Sequence, residues 1–399
     1  MALVKIGPFS GGADNVSPDF ALPKNQYGQQ IAARRIVNAD VQNSGHPRRR
    51  QGYTAVQAFT GAHSLWSDGV RTLLVRDSVL YRVTSFDPYS ETLVKLLTSN
   101  ARMSYVSAAG EVYCSNGTDA GRLSSGNVWS AHALPVPASC SLAASTGTLL
   151  AGKYQVAITY ANGTSEEGGA KHAAIELAAA GSIVVTLPTA SVGATHINVY
   201  LTDMNGGVPK FHSQVAVGTA TVTLNTFATG HTLQTAYLEP LPTGRFFYYN
   251  GRLLSAVGSR LYYSSPYNLG LYDPVDGFIG FRSDVSVVVP SQNGVYVAAD
   301  VTHWLAGRDI SKLEAITDVL PYGATAWTEF SIPNQPTVGW YGAKGLVLAD
   351  LSGGAKAVQE DRYAASTSPT GSSLVMQRDG LRSVVVTLDT PTASPLARV

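Results

Sequence analysis

A chain of 399 residues is long enough to bury two or three cores without disulfides or metals, and its 28 Lys and Arg against 27 Asp and Glu leave a net charge of +1. That balance excludes tight electrostatic binding to nucleic acid, although DNA passing through a channel is compatible with it. Charged residues make up only 14%, whereas 39 Gly, 20 Pro and 20 Tyr point to many turns and strands, so an almost wholly β protein is expected.

Residues 1–52 read as an extended arm, because GGADN, SPD and LPKN are loop and turn chemistry, and the first fifteen residues lack the apolar core of a signal peptide. Residues 29–41, QQIAARRIVNADV, fit a helical turn or two, or a strand over 33–37, and carry Arg34 and Arg35. Arg48, Arg49 and Arg50 follow in PRRRQGY. Guanidinium forks suit phosphate oxygens, which makes these five arginines the candidate channel or ring-interface contacts; a run of charge also suits a solvated strand end or a salt-bridged interface.

Residues 53–137 read as the first part of a repeat array. In GVRTLLVRDSVLYRVT, residues 69–84, an apolar run reaches Val75, Arg76-Asp77-Ser78 turns the chain, and Val79-Leu80-Tyr81 returns. Trp66-Ser67-Asp68-Gly69 partly matches the Asp-box of sialidases without its spacing and reads as an ordinary Asp-Gly turn. The prolines of LPVP, residues 134–137, remove amide donors and mark a boundary.

Residues 138–240 carry strands at the spacing of a β-sandwich of about 100 residues, starting with GKYQVAITY and its Asn162-Gly163 turn. Cys114 and Cys140 provide no immunoglobulin-type pair and read as free thiols. Glu166 and Glu167 fall in a Gly-rich hairpin loop and read as solvated charges.

Residues 241–399 form the second part of the array and a C-terminal tail. They open on RFFYYNGRLLSAVGSRLYYS, residues 245–264, where Asn250-Gly251 and Gly258-Ser259 separate three short apolar runs into a β-meander. The aromatics Phe246 to Tyr249 fit a buried strand or a sugar platform. Residues 293–307, NGVYVAADVTHWLAG, repeat the pattern, with weaker relatives at 110–122 and 345–358; recurrent hairpins with an aromatic on the return strand are the sign of a β-propeller, or of unrelated hairpins in an ordinary β domain. Residues 266–280 read as a turn-rich loop whose Asp273 and Asp276 are too few for calcium, 310–320 as a short helix or irregular connector, and 374–388 as a last strand pair.

No metal, cofactor or catalytic residue is expected. The 8 histidines are dispersed, no phosphate-binding glycine loop stands between strand and helix, and no carboxylate pair suggests a glycosidase. No stretch supplies the roughly 20 apolar residues of a membrane helix, so no membrane insertion is expected, and folding in a cytoplasm is.

The Arg-rich stretch before Gly52-Tyr53, the NGRLL and GSRLYYS meander, NGVYVAADVTHWLAGRD, and GWYGAKGLVLAD followed by Gly353-Gly354 resemble the tail nozzle or tail tubular proteins of short-tailed double-stranded DNA bacteriophages. GKYQVAITYANGTSEEG and INVYLTDMNGG resemble their fibronectin-like insert. The resemblance implies an all-β fold, a β-propeller with an inserted fibronectin- or immunoglobulin-like β-sandwich. It also implies a non-enzymatic structural protein of the virion tail, assembled in the host cytoplasm as a homohexameric ring around the DNA exit channel. Its partners are then the portal or head-to-tail adaptor, tail fibres, and double-stranded DNA in transit during ejection. The alternative is a receptor- or glycan-binding β-propeller adhesin.

Overall fold

The computed structural model describes residues 8–37, 39–42, 44–49, 55, 57–163, 166–188, 193–378, 381–394 and 397; Arg50, Gly52 and Tyr53 lie outside them. The protein is all-β, apart from one 3₁₀ turn at Asp19–Ala21 among the described residues. Among the described residues five sheets are four-stranded antiparallel meanders whose strands pair in sequence order, the third passing over the short strand Leu271–Tyr272, which pairs with Glu239–Pro240. The first joins Ala62–Ser67, Thr72–Arg76, Val79–Phe86 and Tyr89–Leu96; the second joins Ser104–Ala108, Glu111–Ser115, Ala120–Leu123 and Trp129–Ala131. The third joins Arg245–Tyr249, Arg252–Val257, Arg260–Tyr263 and Phe278–Gly280. The fourth runs from Val287–Ser291 through Gly294–Ala298 and Thr302–Ala306 to Ala315–Leu320, and the fifth from Phe330–Ser331 through Val338–Gly342 and Gly345–Ala349 to Ala355–Ala357.

Tight turns dictate this serial pairing. Asn250 and Gly251 both have positive φ, 42° and 84°, as do Asp77 and Ser78, 51° and 58°, and a type I′ turn matches the twist of the strands it joins. Each meander then has apolar positions to bury. Leu73, Val75 and Leu80 of the first share one core with Val112, Cys114 and Leu123 of the second. Ala108 and Tyr113 of the second share another with Phe246 and Leu253 of the third, and Tyr296 and Trp304 of the fourth pack with Trp340 and Val347 of the fifth. Burying one such Val, Leu or Phe contributes about 1.5–3 kcal/mol.

Between the second and third meanders stand two further sheets. One orders Ser141–Leu149, Gly181–Thr186 and Thr221–Leu224; the other orders Glu166–Leu177, Gly152–Asn162, His196–Leu201 and Lys210–Ala216. Tyr154, Val156, Ile158 and Tyr160 alternate along one strand into a core shared with Ile183, Val185 and Leu224 of the first of these sheets.

By contact density the chain divides into a unit of Phe59–Val257 with Leu261–Ile279, and a unit of Met1–Ala58, Gly258–Arg260 and Gly280–Val399. In the latter the arm is tied to distant chain: the Asn15 amide donates to the Arg362 carbonyl at 3.0 Å, and Asn15 Oδ1 accepts from the Ala364 amide at 2.8 Å. A hairpin of Gly371–Arg378 and Leu381–Leu388 follows the fifth meander.

Three local expectations are corrected. Residues 310–320 hold the strand Ala315–Leu320, because the neighbouring strand Thr302–Ala306 offers an edge whose backbone groups need partners. The described part of 29–41 is two short strands, Ala32–Ala33 and Ala39–Val41, which pair with Gly12–Ala13 and Pro47–Arg49. The turn-rich 266–280 contains the last strand of the third meander, Phe278–Gly280.

Candidate functional site

Of the five arginines chosen from sequence, Arg34 is committed to organising the arm. Its guanidinium donates to the Asp14 carbonyl at 3.3 Å and to the Ser17 carbonyl, and pairs with Asp19. Asp14 beneath it is buried, and although burial raises its pKa, hydrogen bonds from Ser17 and Val16 and the charge of Arg34 bring it below the usual value. Arg35 is exposed, as are Arg48 and Arg49 on the strand Pro47–Arg49; alternation puts the last two on opposite faces, with Arg48 opposite Asp40 in the register. Arg50 lies outside the described residues.

A different set of side chains converges inside the unit of Phe59–Val257 with Leu261–Ile279. A cavity of about 320 Å³ is lined by Glu111 and Tyr113, by Arg122 on the next strand, by His132, by Glu166 and Glu167, and by the loop carrying Tyr267 and Asn268. Gly270 lets that loop close the wall, since a Cβ there would stand 2.3 Å from the His132 carbonyl oxygen. Arg122 is the hub: Nη2 reaches Glu166 at 2.7 Å, Nη1 reaches Glu111 at 3.5 Å, and Nε donates to Ser130 Oγ at 3.2 Å. Burial works against its charge, but Glu166 and then Glu111 more than offset that and raise its pKa.

Glu167 is held differently. Its Oε1 accepts from Thr159 Oγ1 at 2.6 Å, Asn198 Nδ2 at 2.9 Å and the Tyr200 hydroxyl at 2.5 Å, all neutral donors. Burial, then the bond to Glu167, push the Tyr200 phenol well above its ordinary value. His132 Nε2–H donates to the Leu241 carbonyl at 2.8 Å, and burial holds its pKa below the ordinary histidine value, which keeps the ring neutral at pH 7. Tyr113 is raised by burial and by Glu111. An arginine set between two carboxylates suits binding better than proton donation, because it favours the charged carboxylate that a general acid must avoid.

Sequence reasoning missed this cluster. Glu166 and Glu167 open the strand Glu166–Leu177 instead of lying in a loop, and they are half-buried. Their partners stand 4 to 44 residues away in number, and only the pairing of strands brings Tyr200, Asn198 and Arg122 to them.

No protein-family model and no curated protein matches the chain. Among solved structures it is similar to YCF48 bound to a D1 peptide, with 13% identity over 77% of this chain and 81% of that one and a TM-score of 0.27. It is similar to the AfRom2 CNH domain at 11% identity over 78% and 85%, with a TM-score of 0.27. A third is PorZ of Porphyromonas gingivalis, at 11% identity over 73% and 37%, with a TM-score of 0.22. Similarity at such TM-scores carries no inference about architecture or activity. The fold itself defines the class: an all-β protein of serial four-stranded meanders.

Proposed function

We propose that the chain is a non-enzymatic structural protein of a bacteriophage tail, of the nozzle or tail tubular kind, that assembles as a ring around the DNA exit channel below the portal or adaptor. The meanders are then propeller blades, and residues 138–240 a β-sandwich inserted between them. One observation supports this most: two meanders, a pair of sheets sharing a core, then three more meanders follow one another in the order that the sequence resemblance implies. A net charge of +1 suits a channel wall, because each phosphate neutralised by a fixed cation adds salt-dependent affinity that slows DNA in transit.

The test is the mass and symmetry of the purified protein, by mass photometry and negative-stain imaging, alone and with portal and adaptor. A six-fold ring, free or formed on those partners, is expected. Reversing Arg48, Arg49 and Arg50 to Glu is expected to weaken it while leaving the thermal midpoint within a few degrees, since Arg48 and Arg49 are exposed. A protein that stays monomeric with every tail partner overturns the reading, and sugar binding by that monomer establishes the adhesin alternative.

A further inference from the structure

We propose that Ser64 is an activated nucleophile, set in a triad with His63 and Asn100, that takes an acyl group from an activated ester. This adds a reactivity to the chain and does not depend on the tail assignment.

The backbone creates the arrangement. Neighbouring side chains of a regular strand point to opposite faces, so His63 and Ser64 of Ala62–Ser67 should not meet. The register against Thr72–Arg76 shifts between His63 and Trp66, however, and Ser64 takes a φ of 54°, left-handed backbone that a serine rarely adopts. Such a bulge re-aims side chains. Ser64 Oγ stands 2.8 Å from His63 Nδ1, and the other ring nitrogen, Nε2, stands 3.2 Å from Oδ1 of Asn100, which lies on the connection between the first two meanders.

The proton positions follow from the outermost bond. The Ser78 amide, which can only donate, reaches the same Asn100 Oδ1 at 2.8 Å, so that atom is an acceptor. The neutral His63 ring then carries its hydrogen on Nε2, which leaves Nδ1 bare and makes Ser64 Oγ–H the donor to it. A further amide, that of Met103, donates to Ser64 Oγ at 2.9 Å and stabilises the negative charge that grows on the oxygen as its proton leaves. A hydroxyl, a base on its proton and an acceptor that orients the base are the parts of a nucleophilic triad, with asparagine in the orienting place as in Cys-His-Asn enzymes. Asn100 is exposed and the other two are half-buried, so a small ester can reach them. Ser64 Oγ bonds to the acyl carbon, its proton passes to His63 Nδ1, the bond from that carbon to the leaving oxygen breaks, and the leaving alcohol departs with the proton. If the same hydrogen bonds only brace the bulge, Ser64 reacts as an ordinary serine.

The full chain treated with p-nitrophenyl acetate at pH 7 separates the two cases, with nitrophenol release giving the rate and peptide mass mapping the position. One acetyl group on Ser64, formed about a hundredfold faster than on the other serines, is expected. Ser64→Gly suits the positive φ and lacks the hydroxyl, so it should abolish that label. His63→Gln removes the base and should slow labelling about a hundredfold. Asn100 acts as a positioning residue: Asn100→Ala should slow labelling about tenfold, whereas Asn100→Asp, which keeps the acceptor, should stay within about threefold of the parent. Labelling of Ser64 no faster than of other serines, or at the parent rate in His63→Gln or in Asn100→Ala, would overturn the proposal. If Ser64→Gly or His63→Gln fails to fold, the parent rate and the exposed Asn100 pair decide it.

Discussion

Carboxylates in this protein differ in fate according to the donors around them, and the sequence does not separate them. Asp68 follows Trp66-Ser67 at a turn, where its Oδ1 accepts from the Val70 amide at 2.9 Å and the Arg71 amide at 2.6 Å, while Oδ2 takes Arg71 Nε and Ser107 Oγ, both at 3.1 Å. Burial alone would raise its pKa; these bonds outweigh burial and hold it at about 2, against 3.8 for a free carboxyl. A folded value below the unfolded one stabilises the fold above about pH 4, and the contribution is lost as pH falls through 2. Asp68→Asn should therefore cost on the order of 2 kcal/mol in urea unfolding at pH 7, and the gap to the parent should shrink steadily from pH 5 downward. A gap that does not change with pH sinks this account. Trp340 presents the converse case. It is wholly buried against Tyr296, with ring centroids 5.4 Å apart, yet among the described residues its indole N–H has no acceptor. Trp340→Ala should lose about 3–5 kcal/mol through the cavity it leaves, whereas Trp340→Phe gives up an unsatisfied donor along with volume and should lose less than half as much. Equal losses in the two variants would show that the N–H is not a liability.

At the scale of elements, the hairpins are legible and the outer strands are not. Asn250-Gly251 announces its turn because two successive positive-φ residues suit few other pairs, and Asp77-Ser78 was found from the apolar runs on either side of it. Gly251→Ala should lower stability by about 1 kcal/mol, because its φ of 84° strains any L side chain and the new methyl meets nothing closer than Tyr267 Cε1 at 3.8 Å. Ser78→Gly should act in the opposite direction by a smaller amount, since Ser78 bears the same strain at 58°. Urea midpoints of both variants check the signs, and two shifts of the same sign would refute turn strain as the cause. Three of the fourth strands escaped notice for another reason. Trp129–Ala131 and Phe278–Gly280 are three residues each, too short to display a period, and Ala315–Leu320 leaves Ala315 and Ile316 exposed, so no alternation marks it. Their structure comes from the edge they complete, which is a property of the neighbouring strand. The cavity was hidden for the same reason, since it is built across strands from residues whose local patterns are ordinary.

For the whole molecule, the segment between the second and third meanders behaves geometrically as an insertion. The chain leaves after His132 and returns at Leu241, and those two residues are joined by the 2.8 Å bond from the imidazole to the carbonyl. The core built by Leu149, Tyr154, Ile158, Ile183, Val199 and Leu224 draws all its buried members from 134 to 228, so its apolar burial is complete without the meanders. The prolines of LPVP were the sequence signal for the first junction, and Pro240 and Pro242 stand at the second; they are informative because a missing amide donor ends strand pairing. Two consequences follow from a self-contained core whose ends meet. Residues 134–240 expressed alone should unfold in urea as one cooperative transition, because the hydrophobic term that holds them is internal. The parent with residues 134–239 replaced by four Gly and Ser residues should also fold, since such a linker spans up to about 13 Å, more than the gap that a side-chain hydrogen bond leaves between the two ends. The remainder should be somewhat less stable than the parent, because Arg122 loses Glu166 while keeping Glu111, and Arg122→Gln should recover part of that loss by removing a cation left short of partners. Near-ultraviolet circular dichroism of both pieces, with urea transitions, gives the result. If neither piece shows a cooperative transition, the two sheets and the meanders fold only as one body, and the insertion exists in the order of the strands but not in the energetics.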